Sequence, residues 1–572
     1  MDERLRIVNL TLRGFQLNTI LILTVTAHCD SDGTMSHESP EQLQAVINSA
    51  YDRFQDEDAQ SMNLVAGQAL GEATRTTLGP NGMDKMIVDS LGGVTITNDG
   101  ATILQEMDLD HPAAELVSEV AQSQERAAGD GTTTAVVLAS ELLAQAEKLI
   151  DDGIHPTSII NGYRTAISES YDVLDDNATE VTPEDDQTLS QLAQTAMTGT
   201  GAEGSRKHLA DLVVEAVRQV STDGIVDTDA IQIESVTGGL LTDSECILGT
   251  TIEKEPAALG MERLATDAKI GLFEDALQIE NTKLDGSVSF DDPDTRQQVL
   301  DTEDETLITR VQKLTELDVD VVFAGGELGN RAIEEMVQRG IMVFNKTPTE
   351  ALERLAGSTG ATISTGADAL TPEKLGYAGH VECGAKDWQD VVFVEECKDP
   401  DNVTLLLRGG PTHVMDELKR PIADAIAVVS NAVENGRFCP GGCAIEIEIA
   451  RRLRSTAGGI AAREQLAVDA FADAIEVLPR TLAESAGRDP IDTLVELRQR
   501  HAEGDVAAGV NGHAGEIEDT RAAGVIDSVR VKETAIETAA QAAILLLRID
   551  DILLSEQQPD RSEGGTAPGM PR

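Results

Sequence analysis

The hexapeptide Gly129-Asp130-Gly131-Thr132-Thr133-Thr134 constrains this chain more than any other stretch. It sets two glycines, one carboxylate and three hydroxyls directly ahead of a helical pattern. Apolar residues Val136, Leu138, Leu142, Leu143, Ala146, Leu149 and Ile150 recur at helical spacing, and Asp151-Asp152-Gly153 ahead of Pro156 stops the run. The six residues therefore open a helix, whose first N–H groups lack intrahelical partners and whose dipole end is positive. Such a turn suits the oxygens of a polyphosphate, and Asp130 beside it suits a divalent cation such as magnesium. Asp, Gly and Thr also make plain capped turns. On these six residues alone the two readings stand level.

At 572 residues the chain is too long for a single core and should form two or three domains. Aromatic residues are only 2%, so those cores must be aliphatic. The formal net charge of −57 excludes a nucleic-acid binder, while 41% hydrophobic content with clear periodicity argues against disorder. A high-salt cytoplasm reconciles the two, because at molar ionic strength the Debye length falls to roughly 3 Å and the carboxylates are screened. Six cysteines, Cys29, Cys246, Cys383, Cys397, Cys439 and Cys443, are too sparse for a disulfide framework and fit a reducing compartment. Cys439 and Cys443 form the only close pair. With no second pair nearby, they read as small residues in a tight loop rather than a metal or redox site.

The first 34 residues place Arg4, Arg6 and Arg13 before an apolar run, Thr19–Ala27, that is shorter than the roughly 20 residues needed to cross a bilayer. They read as an extension ahead of a true start near Met35, and no membrane association is expected. A helix over Ser61–Thr77 breaks at Leu78-Gly79-Pro80-Asn81-Gly82. Strands follow at Met86–Asp89 and Val94–Thr97, so Asp99 falls at a strand-to-helix turn, as a cap or as a further catalytic carboxylate. Gly199 to Gly204 match the GxGxxG spacing, but a helix rather than a strand precedes them, which rules out a dinucleotide site. Between about 253 and 405 the pattern alternates, with strands expected at Ile270–Phe273, Val319–Phe323, Ile341–Phe344, Thr362–Thr365, Val391–Glu395 and Val403–Leu407. Helices at Gly329–Arg339 and Thr349–Gly357 separate some of them, which makes an α/β insertion in a helical chain. Its acidic stretch from Ala276 to about Arg310 is an excursion from the domain body. A helix over Asp416–Asn435 buries Ile422, Ala425, Ile426, Val429 and Val433, which leaves Asp424 on its polar face. Gly509–Gly512 reads as a loop, Ile536–Leu554 as one long apolar helix, and Ser555–Arg572 as a disordered tail.

Six segments, LGPNGMDKMIVDS (78–90), TNDGATIL (97–104), GDGTTTAVVLA (129–139), IHPTSIINGYR (154–164), REQLAVDAFADAIEVLPRTLAESAGRDPID (463–492) and LLLRIDDIL (545–553), occur in an order that resembles the group II chaperonins, the archaeal thermosome and its cytosolic relatives. The resemblance, with the acidic composition, points to a halophilic archaeon. It implies a multidomain fold with a mainly α-helical equatorial ATPase domain (35–182 and 438–555) and a small α+β intermediate domain (183–252 and 406–437). The α/β apical domain would span 253–405 with a helical, lid-forming protrusion at 276–310, and 556–572 would be a tail. By the same resemblance the cofactors are ATP and Mg2+. Leu78, Gly79, Pro80, Gly131, Thr132, Thr133, Thr134, Gly442, Asn511 and Asp527 would bind nucleotide, Asp130 would hold the metal, and Asp99 and Asp424 would be catalytic. The partners implied are unfolded protein clients and a homo- or hetero-oligomeric double ring of paralogous subunits. The function implied is ATP-dependent folding of enclosed proteins, with a weakly hydrolysing or structural subunit of a mixed ring as the alternative. The chain departs from the family pattern at Cys443, where Gly is usual, at Thr200, where Lys is usual, and at Ser528, where Pro is usual.

Overall fold

The computed structural model describes residues 51–88, 93–107, 109, 111–199, 204–258, 260–274, 308–384, 391–397, 402–460, 462–549 and 551–555. The N-terminal extension, Thr200, nearly all of the protrusion and the tail lie outside the described residues. The chain divides into two units. In the smaller, Met1–Phe54 with Asp551–Arg572, β1 (Tyr51–Gln55) pairs with β19 (Asp551–Ser555). The larger, Gln55–Asp550, holds every other element.

Within the larger unit, helices α1 (Asp56–Arg75), α2 (Gly100–Glu106), α3 (Pro112–Ala128), α4 (Thr132–Asp151) and α5 (Pro156–Asn177) come from the first part of the chain. From the last part come α11 (Ala444–Ala457), α12 (Ala462–Ile475), α13 (Val477–Ser485), α14 (Pro490–Ala502) and α15 (Val529–Leu546). They bury one aliphatic core between them. Helix α4 lies at its centre, with Val136, Leu138, Leu142 and Leu143 fully enclosed. The few aromatics are placed with care: Tyr163 packs edge-on against Phe471 at 5.5 Å and donates its hydroxyl to the Leu142 carbonyl at 2.7 Å, so its polar end is satisfied without water.

A second core joins α6 (Asp186–Ala196), α7 (Arg206–Val220) and α10 (Thr412–Asn435). A third belongs to the α/β region with α8 (Asn330–Gln338) and α9 (Thr349–Thr359). One eight-stranded sheet passes from the third core to the second, in the order β11 (Met342–Phe344), β10 (Val321–Ala324), β9 (Leu264–Phe273), β12 (Gly376–Cys383), β13 (Val391–Glu395), β8 (Glu245–Glu253), β14 (Val403–Gly409) and β7 (Ile231–Thr237). Its two ends are parallel pairs, as crossover connections demand, and its middle is antiparallel. Small sheets complete the unit: β2 (Lys85–Val88) with β3 (Val94–Thr97), β5 (Ser221–Thr222) with β6 (Ile225–Val226), β16 (Ala508–Asn511) with β17 (Glu516–Asp519), and β15 (Arg437–Pro440) between β4 (Thr179–Glu180) and β18 (Ile526–Ser528).

Four sequence expectations need correction. Thr362–Thr365 is not a strand: only Ser364 makes an isolated bridge, to Phe273. The apolar run Ile536–Leu554 is not one helix, since α15 ends at Leu546 and β19 begins at Asp551. Gly509–Gly512 is mostly strand, because Val510 and Asn511 pair with Ile517 and Glu516. Asp424 is not on a solvated face; it faces a cavity. Among the described residues no helix is long and apolar enough to cross a membrane.

Candidate nucleotide site

One cavity of about 1230 Å³ opens where the first two cores meet. Every nucleotide-binding, metal and catalytic candidate named from the sequence lines it: Leu78, Gly79 and Pro80 after α1, Asp99 before α2, Asp130 to Thr134 from the turn after α3 into the first turn of α4, Asp424 on α10, and Gly442, Asn511 and Asp527 from the last third of the chain.

The turn between α3 and α4 is built by two left-handed glycines. Gly129 (φ 70) closes α3 with its N–H on the Glu125 carbonyl. A Cβ at Gly129 would stand 2.1 Å from the Cβ of Ala427 on α10, so only glycine admits that helix here. Gly131 (φ 80) then starts α4 with no side chain capping it, and the first helical bond runs from Ala135 to Gly131 at 2.9 Å. The N–H groups of Thr132, Thr133 and Thr134 are therefore available to an anion. Asp130 is held from both ends: its Oδ1 accepts from the Gly131 N–H at 2.5 Å, and its carbonyl accepts from the Gln124 amide at 2.6 Å.

Asp99 caps α2 and also lines the cavity. Its Oδ2 accepts from the N–H and hydroxyl of Thr102 at 2.6 and 2.9 Å, and its Oδ1 from the Thr132 hydroxyl at 3.2 Å. The Arg420 guanidinium, one turn before Asp424 on α10, lies 3.1 Å from the same Oδ2. Asn511 has its side chain committed to its own hairpin, accepting from the N–H groups of His513 and Ala514 and donating to Glu518. Asp527 is paired with Lys532 at 2.8 Å, and Lys532 also donates to Glu446 at 2.7 Å.

Carboxylates crowd one side of the cavity. Burial, then Asp527, pushes Asp130 up to about 6, against the Gly131 N–H and Lys532. Burial, then Asp99, pushes Glu125 up to about 7, with Arg420 opposing. Asp424 is raised well above the ordinary carboxylate range by burial, then by Glu125, Asp130 and Asp99. Such mutual repulsion is relieved by a cation. Among the described residues, however, no three His, Cys, Asp or Glu stand close enough to hold a metal by themselves. The arrangement fits a magnesium ion that takes one or two protein carboxylates and completes its shell with phosphate oxygens and water.

Glu125, Arg420, Glu446 and Lys532 also line the cavity and escaped the sequence reading. Arg420 had a usable signal, since it lies one helical turn from Asp424. Lys532 and Glu446 had none, because their pairing joins segments 86 residues apart. Cys439 and Cys443 are buried free thiols, and burial pushes Cys443 well up, which suits structural residues in a tight loop.

Comparison with known proteins agrees with this architecture. Residues 70–557 match the model of the TCP-1/cpn60 chaperonin family. Thermosome subunit 1 of Haloferax volcanii is 46% identical over 92% of this chain and 95% of its own length. The thermosome subunit of Methanopyrus kandleri is 46% identical over 90% and 95%. Thermosome subunit alpha of Halobacterium salinarum is 45% identical over 91% and 92%. The chain therefore belongs to the TCP-1/cpn60 chaperonin family, as a group II chaperonin subunit acting in protein folding.

Proposed function

We propose that the subunit binds ATP with Mg2+ in this cavity and hydrolyses it to drive the folding cycle. The observation that carries the reading is the convergence of the uncapped α4 N-terminus with Asp99, Asp130 and Asp424, three carboxylates from three separate segments, on one cavity. The N–H groups of Thr132 to Thr134 would take phosphate oxygens, and Asp130 would hold the metal, which neutralises phosphate charge when bound. Asp99 and Asp424 would orient the attacking water. Water adds to the terminal phosphorus, the bond to the bridging oxygen breaks with its electron pair leaving on ADP, and the proton passes to a carboxylate.

The three cores support an equatorial ATPase domain (35–182, 438–555), an intermediate domain (183–252, 406–437) and an apical domain (253–405). The protrusion at 276–310 would act as a lid over unfolded clients. The hairpin of β2 and β3 supports assembly of subunits into a double ring. Met86, Val88, Val94 and Ile96 lie on one face of this isolated two-stranded hairpin, each more than half exposed, and such a hairpin is marginal by itself. The acidic surface supports a cytoplasm of high salt. The test is an ATPase assay on rings identified by electron microscopy in molar salt. Turnover that requires Mg2+ is expected; rings that bind and hydrolyse no ATP would leave a structural subunit of a mixed ring, and absence of rings would remove both.

A further inference from the structure

Three cationic side chains line the cavity among the described residues: Arg206, Arg420 and Lys532. Two have other duties. Arg206 extends its Nη1 to within 2.6 Å of His513 Nε2 at an exposed contact, and Lys532 is held between Glu446 and Asp527. Arg420 differs from both. Its ion pair is to Asp99, a carboxylate that already accepts from the Thr102 N–H, the Thr102 hydroxyl and the Thr132 hydroxyl. Asp99 would thus stay satisfied if the guanidinium left. Arg420 meanwhile buries its Nε with no hydrogen-bond partner, a donor in search of an acceptor.

Resting on the nucleotide reading above, we propose that Arg420 is a further catalytic residue, whose guanidinium exchanges Asp99 for the terminal phosphate of the bound triphosphate. Three considerations converge on this exchange. The planar five-donor fork of arginine matches phosphate oxygens in pairs, which a single carboxylate oxygen does not use fully. Thr132 connects the two partners, since its hydroxyl bonds Asp99 while its N–H belongs to the open helix end that would receive phosphate. Position 420 lies one turn from Asp424 on the same side of α10 and both line the cavity, so the guanidinium and the carboxylate would face the same bound phosphate. Charge that spreads over the transferred phosphoryl group is stabilised by such a cation.

Binding separates this inference from the proposed function. ADP and a non-hydrolysable ATP analogue, each with Mg2+, are titrated calorimetrically into the parent, Arg420→Met, Arg420→Lys and Asp99→Asn proteins in molar salt. The parent should prefer the triphosphate. Arg420→Met should weaken triphosphate binding by about ten-fold or more while leaving ADP unchanged, and Arg420→Lys should fall between. Asp99→Asn should tighten triphosphate binding, and that gain should vanish when combined with Arg420→Met. If Arg420→Met lowers both affinities equally, or leaves their ratio untouched, Arg420 only braces α10 against α2 and the inference is overturned. Should Arg420→Met fail to fold, the same ratio in Arg420→Lys decides: a ratio equal to that of the parent overturns the exchange. A parent that binds neither nucleotide removes the proposed function itself.

Discussion

A carboxylate that collects a proton from water gains from being more basic than free aspartate, and Asp424 obtains that basicity first from burial and then from three neighbouring acids. Its helical spacing correctly separates it from the apolar stripe of α10, but spacing cannot say that the polar side is roofed by another part of the chain. Asp424→Ala is expected to bind nucleotide with the parent's affinity and to lose about 100-fold or more in turnover, measured by single-turnover hydrolysis beside equilibrium binding. Parent-like turnover would show that this carboxylate takes no part. Gly129 offers a complementary prediction. Alanine there would combine a left-handed backbone with a Cβ driven to 2.1 Å from Ala427, so Gly129→Ala should cost about 1–3 kcal/mol of stability in denaturant titration and lower turnover by displacing α10. An unchanged midpoint would mean that α10 slides freely on the turn.

Helices α11 and α14 are tied by a buried polar cluster that no local pattern announces. His501 Nδ1 lies 3.0 Å from Glu448 Oε2, Arg451 bonds both Glu448 oxygens, and His501 Nε2 lies 2.8 Å from the Ala508 carbonyl on β16. Although burial works the other way, bonds from His501 and Arg451 hold Glu448 down at about 2, below its ordinary value of 4.5. A carboxylate depressed in the folded state contributes its full stability above about 4.5 and loses it as pH falls toward 2. Glu448→Gln should therefore lower the melting temperature most near neutral pH, with the gap to the parent closing between pH 4.5 and 2; a constant gap would mean that charge is not what holds the pair. The same contrast explains what was legible at this scale. The helices of the first core follow from aliphatic spacing with clear stops, such as Gly79-Pro80 after α1 and Gly153 after α4. Two of the misses depend on distant partners. Asp551–Ser555 is a strand because Tyr51–Gln55 lies beside it, whereas Thr362–Thr365 has strand composition but finds only Phe273. The candidate site residues come from segments that resemble a family, and they line one cavity, while Arg420 and Asp99, 321 positions apart in sequence, meet only in the folded chain.

At the scale of the whole molecule, a charge of −57 on each chain multiplies when subunits gather. Repulsion that is screened at a Debye length of roughly 3 Å in molar salt acts over roughly 30 Å at 10 mM. Assembly should accordingly need high salt, followed by light scattering while the salt is dialysed away. Particles that stay intact in dilute buffer would refute the screening argument. A different consequence follows from α10, which follows strand β14 after two intervening residues and runs for 24 residues past the cavity before Gly436 ends it. At 1.5 Å per residue it spans about 36 Å, with Pro421 inside it, and is rooted at one end beside the eight-stranded sheet. Asp424 sits at its midpoint, close to the Gly129 contact that can serve as a fulcrum. A tilt of about 10° there would swing the sheet end by about 3 Å while moving the carboxylate hardly at all. Were ATP hydrolysed here as proposed, this helix would act as a lever whose short motion is chemical and whose long motion is mechanical, so that a phosphate bond broken at the pivot would be felt first far from it.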